Sequence, residues 1–434
     1  QAQMCAEAQG IELADAEQGW PGPMDLIFFT VAGLLFSMPL FLVAVPPGDT
    51  AAAQALITLA AREGGSFTSL APIAPQITGF AAPGFHGISA YLSQQLGQPI
   101  PQIYLALGAV LGFLGVWVAY DLGGEIRDKR LGRAMALAFM FSGGVLYLQF
   151  NGFYPQLMGV TFALAYLLYG LRALRQGKPL DIVAGGLMLG AVLYVEPALF
   201  GFAALLGIIL AVALLVTSSS GKERPSSGVA MLRVVGVLLV AALGTAPWTV
   251  QHPADVLDLI LAPVNNLTLI TVYALVAPLL IGAVLLWLWD RLPQGKDEML
   301  LRYALIPLGI GAVLAVLVPL LLVPEQDNTT WADLAAMNWL AENAPPESLI
   351  LNHPAQPWVQ ASTGRAAAFA PHPAGFPVVE ADSTALGFWN DHNSEALAGY
   401  DYVLIPQAFT IDALPAGLEL VFEDNGAQVY QVSR

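Results

Sequence analysis

Nine apolar stretches, at about 25–45, 102–120, 134–150, 157–171, 182–195, 198–217, 232–250, 267–289 and 303–323, constrain this 434-residue chain more than any other feature. Roughly 17 to 25 apolar residues carry an α-helix across the hydrocarbon core of a bilayer, and a backbone in hydrocarbon has to satisfy its hydrogen bonds within the helix. The stretches at 157–171 and 182–195 are short, so their ends are the softest. Basic residues fix the phase. Arg127, Lys129, Arg130 and Arg133 follow the second stretch, Arg172, Arg175 and Lys178 the fourth, Lys222, Arg224 and Arg233 the sixth, and Arg291, Lys296 and Arg302 the eighth. Only Arg62, Arg365 and Arg434 lie elsewhere. Alternate loops are therefore basic, the pattern of chains whose basic loops stay in the cytoplasm. The expected fold class is a polytopic α-helical membrane protein of about nine spanning helices, N-terminus inside, with a C-terminal extracytoplasmic small α/β domain. Composition agrees: 11% of residues are charged, against roughly 25% in a soluble domain.

Residues 1–24 hold Glu7, Glu12, Asp15 and Glu17 and no base; they read as an N-terminal segment, processed or partial. Residues 25–323 form the expected transmembrane domain, with a long outside loop at 46–101. That loop offers two amphipathic pieces, AAAQALITLAAR and HGISAYLSQQLG, around a Pro- and Gly-rich loop, SLAPIAPQITGFAAPGF. HPADVLDLILAPVNN at 252–266 reads as a short interfacial helix. From 324 to 434 the chain is strongly acidic, with only Arg365 and Arg434 as bases. There Thr330 or Asp333 is placed to cap the helix WADLAAMNWLAENA. SLILN and DYVLIP read as strands, and LELVFED with AQVYQV as a hairpin around Asn425-Gly426.

Several chemistries are excluded by pattern. The sequence has no GxxxxGK[ST] loop, no dinucleotide glycine fingerprint, no HExxH pair and no nucleophile elbow. A single cysteine, Cys5, rules out a disulfide framework and a Cys-based zinc site, and the five histidines are scattered, so no metal site is read from spacing. The basic loops are explained by topology, so nucleic acid is not an expected partner. Ionisable residues within apolar stretches are functional hypotheses by default. Glu196, in LYVEPALFGF, is the one that stands out, at the outer end of the fifth stretch.

The order of these features carries a resemblance: a first span, an outside acid in a PPGD turn, an amphipathic helix, APGFHGISAYL, further spans including GFYPQLMGV, and an outside α/β domain with WLAENAPPESLILN and a later Gly-Arg pair. This resembles the GT-C superfamily of integral-membrane glycosyltransferases, and more narrowly prokaryotic relatives of protein mannosyltransferases and oligosaccharyltransferases. The resemblance implies an enzyme of a prokaryotic plasma membrane that moves a sugar from a polyprenyl-phosphate donor to an extracytoplasmic protein or glycan acceptor. It also implies that the acid of the first outside loop, Asp49, is the base that deprotonates the acceptor. Asp49 has a second reading, as the cap of a helix starting at Thr50.

Other residues are placed beside it as substrate contacts, each with a structural alternative. Glu196 binds a metal or orients an acceptor beside Asp49, or is a solvated turn acid. His86 contacts substrate, or helps to fold the first loop. Tyr154 and Gln156 line the same cavity, or serve as an interfacial aromatic anchor and a turn polar group. Arg62 and Arg365 are the cations available to a phosphate, or form surface ion pairs. GDT stands without the adjacent acid expected of metal-using relatives, so a divalent cofactor has no ligand set in the sequence. The alternative function is a catalytically inactive GT-C-like accessory subunit, whose acidic domain binds protein partners in a membrane complex.

Overall fold

The structure is a computed structural model describing residues 23–217, 227–291, 329–373, 376–377, 383–391, 394–409, 411 and 414–433. Expectations for residues 1–22 and for the ninth stretch, 303–323, lie outside the described residues. The protein is an integral membrane protein built on long apolar helices. The first stretch is α1 (Pro23–Ser37) continued by one turn of α2 (Pro39–Leu42). The first long loop follows, with α3 (Asp49–Gly64), the strands β1 (Ser69–Leu70) and β2 (Ala74–Thr78), and α4 (Pro83–Leu96). Then come α5 (Ile100–Ile126), α6 (Lys129–Met140), α7 (Gly143–Phe150), α8 (Tyr154–Gln176), α9 (Pro179–Val195), α10 (Pro197–Thr217), α11 (Ser227–Thr249), the short α12 (Pro253–Ile260) and α13 (Asn266–Arg291).

The count of nine spans is not reproduced. Among the described residues four helices, within α5, α8, α11 and α13, are long and apolar enough to cross a membrane, and α6 with α7 makes a fifth if the pair is one span bent by 46°. Shorter apolar helices occupy Phe28–Leu42, Pro179–Val195 and Pro197–Ala213. The bend falls at Phe141–Ser142, where α6 ends and Ser142 takes extended backbone before α7. The middle of the first loop also differs from a plain loop, because β1 and β2 pair as an antiparallel ribbon.

Apolar side chains gain little by leaving lipid tails for one another, so helices in a membrane associate where small residues allow close packing. α5 supplies such a face. Gly108, Gly112 and Gly115 sit against the rings of Tyr154, Phe36 and Phe139, which come from α8, α1 and α6. At Gly123 a Cβ would lie 2.7 Å from the backbone of Gly132, so α5 and α6 touch main chain to main chain.

The charged residues separate along the bundle. At one end Arg133 holds the buried Asp25 through two hydrogen bonds of 2.7 and 3.1 Å, Arg172 pairs with Glu125, and Arg127 with Asp290. At the opposite, loop end lie α3, α4, α12 and the first turns of α8 and α10.

The C-terminal domain is a five-stranded sheet with helices. α14 (Trp331–Asn343) starts in a capping box of Thr330 and Asp333. After it come β3 (Leu349–Leu351), α15 (Val359–Thr363), β4 (Ala366–Ala367), α16 (Ser383–Asp391), β5 (Tyr402–Ile405), β6 (Leu418–Asp424) and β7 (Ala427–Val432), in the order β4-β3-β5-β7-β6. β3 runs parallel to β4 and β5, while β7 is antiparallel to β5 and β6. The β6–β7 hairpin turns at Asn425 and Gly426, with φ of 46° and 95°, as an Asn-Gly pair favours.

A buried polar triangle fastens the first loop to the bundle. Thr58 Oγ1 of α3 lies 3.0 Å from His86 Nδ1 of α4 and 2.6 Å from the Tyr104 hydroxyl of α5. Burial lowers the His86 pKa to about 3, so the imidazole is neutral in the fold.

Two predictions follow from this packing. Gly123→Ala sets a methyl against backbone that has no rotamer to yield, and is expected to lower stability by about 1–3 kcal/mol, read as a lower melting temperature of the purified protein in detergent. Below pH ~6.5 the unfolded chain protonates His86 while the folded chain does not, so stability falls with pH, by about 2 kcal/mol between pH 6.5 and 5. Melting curves of His86→Gln should be flatter over that window than those of the parent. Equal slopes would contradict the assignment.

Candidate functional site at the loop end

The first loop begins with Ala44 to Pro47, all buried, then Gly48 at φ 92°. This is backbone that glycine adopts without strain. Gly48 is the N-cap of α3, and Asp49 is its first helical residue. The reading of Asp49 as cap of a helix starting at Thr50 is thereby corrected: the helix starts one residue earlier, and no side chain caps it. The Asp49 side chain is exposed, in a first turn where the helix dipole favours an acid. It makes no hydrogen bond or ion pair among the described residues.

The turn between α7 and α8, Asn151-Gly152-Phe153, packs directly on this segment. Gly152 has φ 72°, and a Cβ there would lie 2.7 Å from Ala51 Cβ and 3.1 Å from the Pro47 carbonyl. Two residues on, Tyr154 is fully buried, its ring perpendicular to Tyr104 at 6.2 Å. It is a core side chain rather than an interfacial anchor. Gln156 then donates from Nε2 to Glu196 Oε2 at 2.8 Å, while its own Oε1 is buried without a partner. Glu196 ends α9 and packs its Cβ on Gly159 of α8, where an added methyl would come within 2.7 Å. α4 closes the same corner, since a Cβ at Gly84 would meet the Tyr194 carbonyl at 2.8 Å.

The first turn of α8 therefore links two acids. Gly152, just before α8, abuts Pro46, Pro47 and Ala51, which flank Asp49, and Gln156 in the first turn of α8 grips Glu196. His86 and Tyr154 lie in the buried core that supports this corner. The two arginines are elsewhere. Arg62 lies thirteen residues along α3 from Asp49, about 20 Å of helix, and bonds Glu63 Oε1 and Ser93 Oγ at 2.8 and 3.1 Å. Arg365 donates to the carbonyls of Ala341, Ala344 and Thr363, closing the C-terminus of α14. No group of three or more His, Cys, Asp or Glu is arranged to hold a metal among the described residues.

The sequence did not single out Thr58, Tyr104 or Trp358. Tyr104 and Trp358 meet edge to face at 6.4 Å, and Trp358 Nε1 donates to the Pro46 carbonyl at 3.0 Å. Local pattern gives no signal for a bond across 312 positions.

No family model matches the chain, and no curated protein matches it in sequence. Solved structures do. ArnT from Cupriavidus metallidurans bound to undecaprenyl phosphate is 14% identical, with 94% of this chain covering 98% of that one at a TM-score of 0.58. The apo form of the same protein gives 93%, 97% and 0.56. The oligosaccharyltransferase AglB from Archaeoglobus fulgidus, in complex with an inhibitory peptide and a dolichol-phosphate, is 14% identical at a TM-score of 0.43; 75% of this chain matches it and spans 40% of its length. The chain shares the fold of ArnT.

Proposed function

We propose that this protein is a membrane glycosyltransferase that moves a sugar from a polyprenyl-phosphate donor to an acceptor hydroxyl on a protein or glycan outside the cytoplasm. The observation that carries the reading is an exposed carboxylate, Asp49, without a partner among the described residues, in the first turn of a loop-end helix. It stands in a fold shared with a protein that binds undecaprenyl phosphate. The alternation of basic loops supports an orientation with the loop end outside. The donor's isoprenoid tail then stays in lipid while its phosphate and sugar reach the Asp49 corner.

In the reaction, the Asp49 carboxylate takes the proton of the acceptor hydroxyl. The freed oxygen pair attacks the anomeric carbon from the face opposite the phosphate. The carbon–oxygen bond to phosphate breaks with its electrons, giving polyprenyl phosphate and an inverted glycoside. Glu196, held by Gln156, accepts hydrogen bonds from sugar or acceptor hydroxyls. No step is assigned to a metal.

Two outcomes are expected in proteoliposomes given labelled sugars on a panel of polyprenyl phosphates. Asp49→Asn keeps its fold and loses turnover by about 10²–10⁴-fold, the usual worth of a general base; full turnover in this variant would refute the reading. Glu196→Gln keeps shape but weakens charge-assisted hydrogen bonds, and should raise the KM for donor or acceptor by about tenfold. An unchanged KM for both would remove Glu196 from the substrate site.

A further inference from the structure

The segment from Ala44 to Pro47 has almost nothing of its own to hold it. Pro46 and Pro47 carry no N–H, and among the described residues no backbone hydrogen bond ties this segment between the one closing α2 at Val43 and those that Gly48 accepts from Ala51 and Ala52. The bond that reaches it comes from the C-terminal domain, where Trp358 Nε1 donates to the Pro46 carbonyl at 3.0 Å. Trp358 is fully buried, and Pro46 is buried.

The loop that presents this indole is unusually well tied. Asn352 donates to the carbonyls of Gln356 and Phe369 and accepts from the Phe369 N–H at 2.9 Å. Gln356 donates to Asp333 Oδ2 at 3.3 Å, and Asp333 Oδ1 accepts from the Gln407 N–H at 2.8 Å. Asn352, Gln356 and Asp333 are all fully buried. A satisfied buried network of this kind specifies one arrangement of its loop, and its output here is a single side chain aimed three residues ahead of Asp49.

Building on the assignment of Asp49 as base, we propose that Trp358 is a positioning residue, through which the C-terminal domain sets the place and direction of the Asp49 carboxylate. Gly152 closes the turn from one side and the indole from the other. The domain thus completes the active corner without touching substrate, and Arg365 belongs to this support, since it packs the end of α15 against α14.

The test replaces the indole N–H while keeping its shape. 3-Benzothienylalanine, with sulfur for N–H, is placed at Trp358 in the full-length chain by codon suppression, beside Trp358→Phe and Asp49→Asn. The expected result is a kcat at least tenfold lower for both Trp358 variants with donor KM within twofold of the parent, and faster amide exchange at Asp49 to Ala52. An unchanged kcat and unchanged exchange would overturn the proposal. So would a fall in kcat accompanied by an equal rise in KM and a general loss of melting temperature, which marks a merely structural role. Full turnover in Asp49→Asn refutes the base assignment instead, and amide exchange in the benzothienyl variant then still reports whether the indole holds the turn.

Discussion

Everything at the loop end depends on how closely other helices approach the glycine face of α5. Lipid tails are as apolar as leucine, so the bundle cannot rely on a difference in hydrophobicity and must gain from contact. Gly108 admits the ring of Tyr154, Gly112 that of Phe36 and Gly115 that of Phe139. The Tyr154 contact has the longest reach. By fixing the depth at which α8 begins, it places Gly152 under the Pro46-Pro47 turn and Gln156 beside Glu196. One aromatic ring against one missing side chain thus seats the helix start that touches both the opening turn of the first loop and Glu196.

The two ends of the bundle manage charge in opposite ways. At the basic end arginines are consumed by acids and by helix termini: Arg133 by Asp25, Arg172 by Glu125, Arg233 by the Leu174 carbonyl. At the loop end the relation reverses. Asp49 has no partner among the described residues, Glu196 is held by a neutral amide, and Arg62 and Arg365 are occupied away from both. A neutral partner matters chemically, since an amide N–H orients the Glu196 carboxyl oxygen without adding a charge of its own.

Much of this architecture was legible because its signals are local. Hydropathy marks helices, Lys and Arg mark one end, Thr330 with Asp333 spells a capping box, and Asn425-Gly426 spells a hairpin turn. What failed was also local in form but decided by distant contacts. The stretch at 134–150 has the composition of one helix, yet it breaks at Ser142. Tyr154 has the look of an interfacial aromatic, but Gly108 lets it sink into the core. Asp49 looks like a cap until Gly48, with its positive φ, takes that place. The buried position of His86 against Thr58 and Tyr104, which makes it a residue that helps to fold the first loop, is a tertiary fact that no spacing encodes.

A corner built from acids and amides, without a free cation among its described side chains, has a consequence for how a lipid-linked sugar would be handled. Stabilising a departing phosphate calls for positive charge or for aligned main-chain donors, and the described side chains at this corner offer neither arginine nor lysine. Acceptor activation and alignment would then carry the larger share. General-base catalysis supplies about 10²–10⁴ in rate, and holding two reactants in line supplies more than that when the geometry is fixed. Alignment is what the surrounding structure spends its contacts on: the first loop is fastened by Thr58, His86 and Tyr104, its opening turn is gripped between Gly152 and Trp358, and Glu196 is clamped by Gln156 and Gly159. The corner is thus built for rigidity more than for charge.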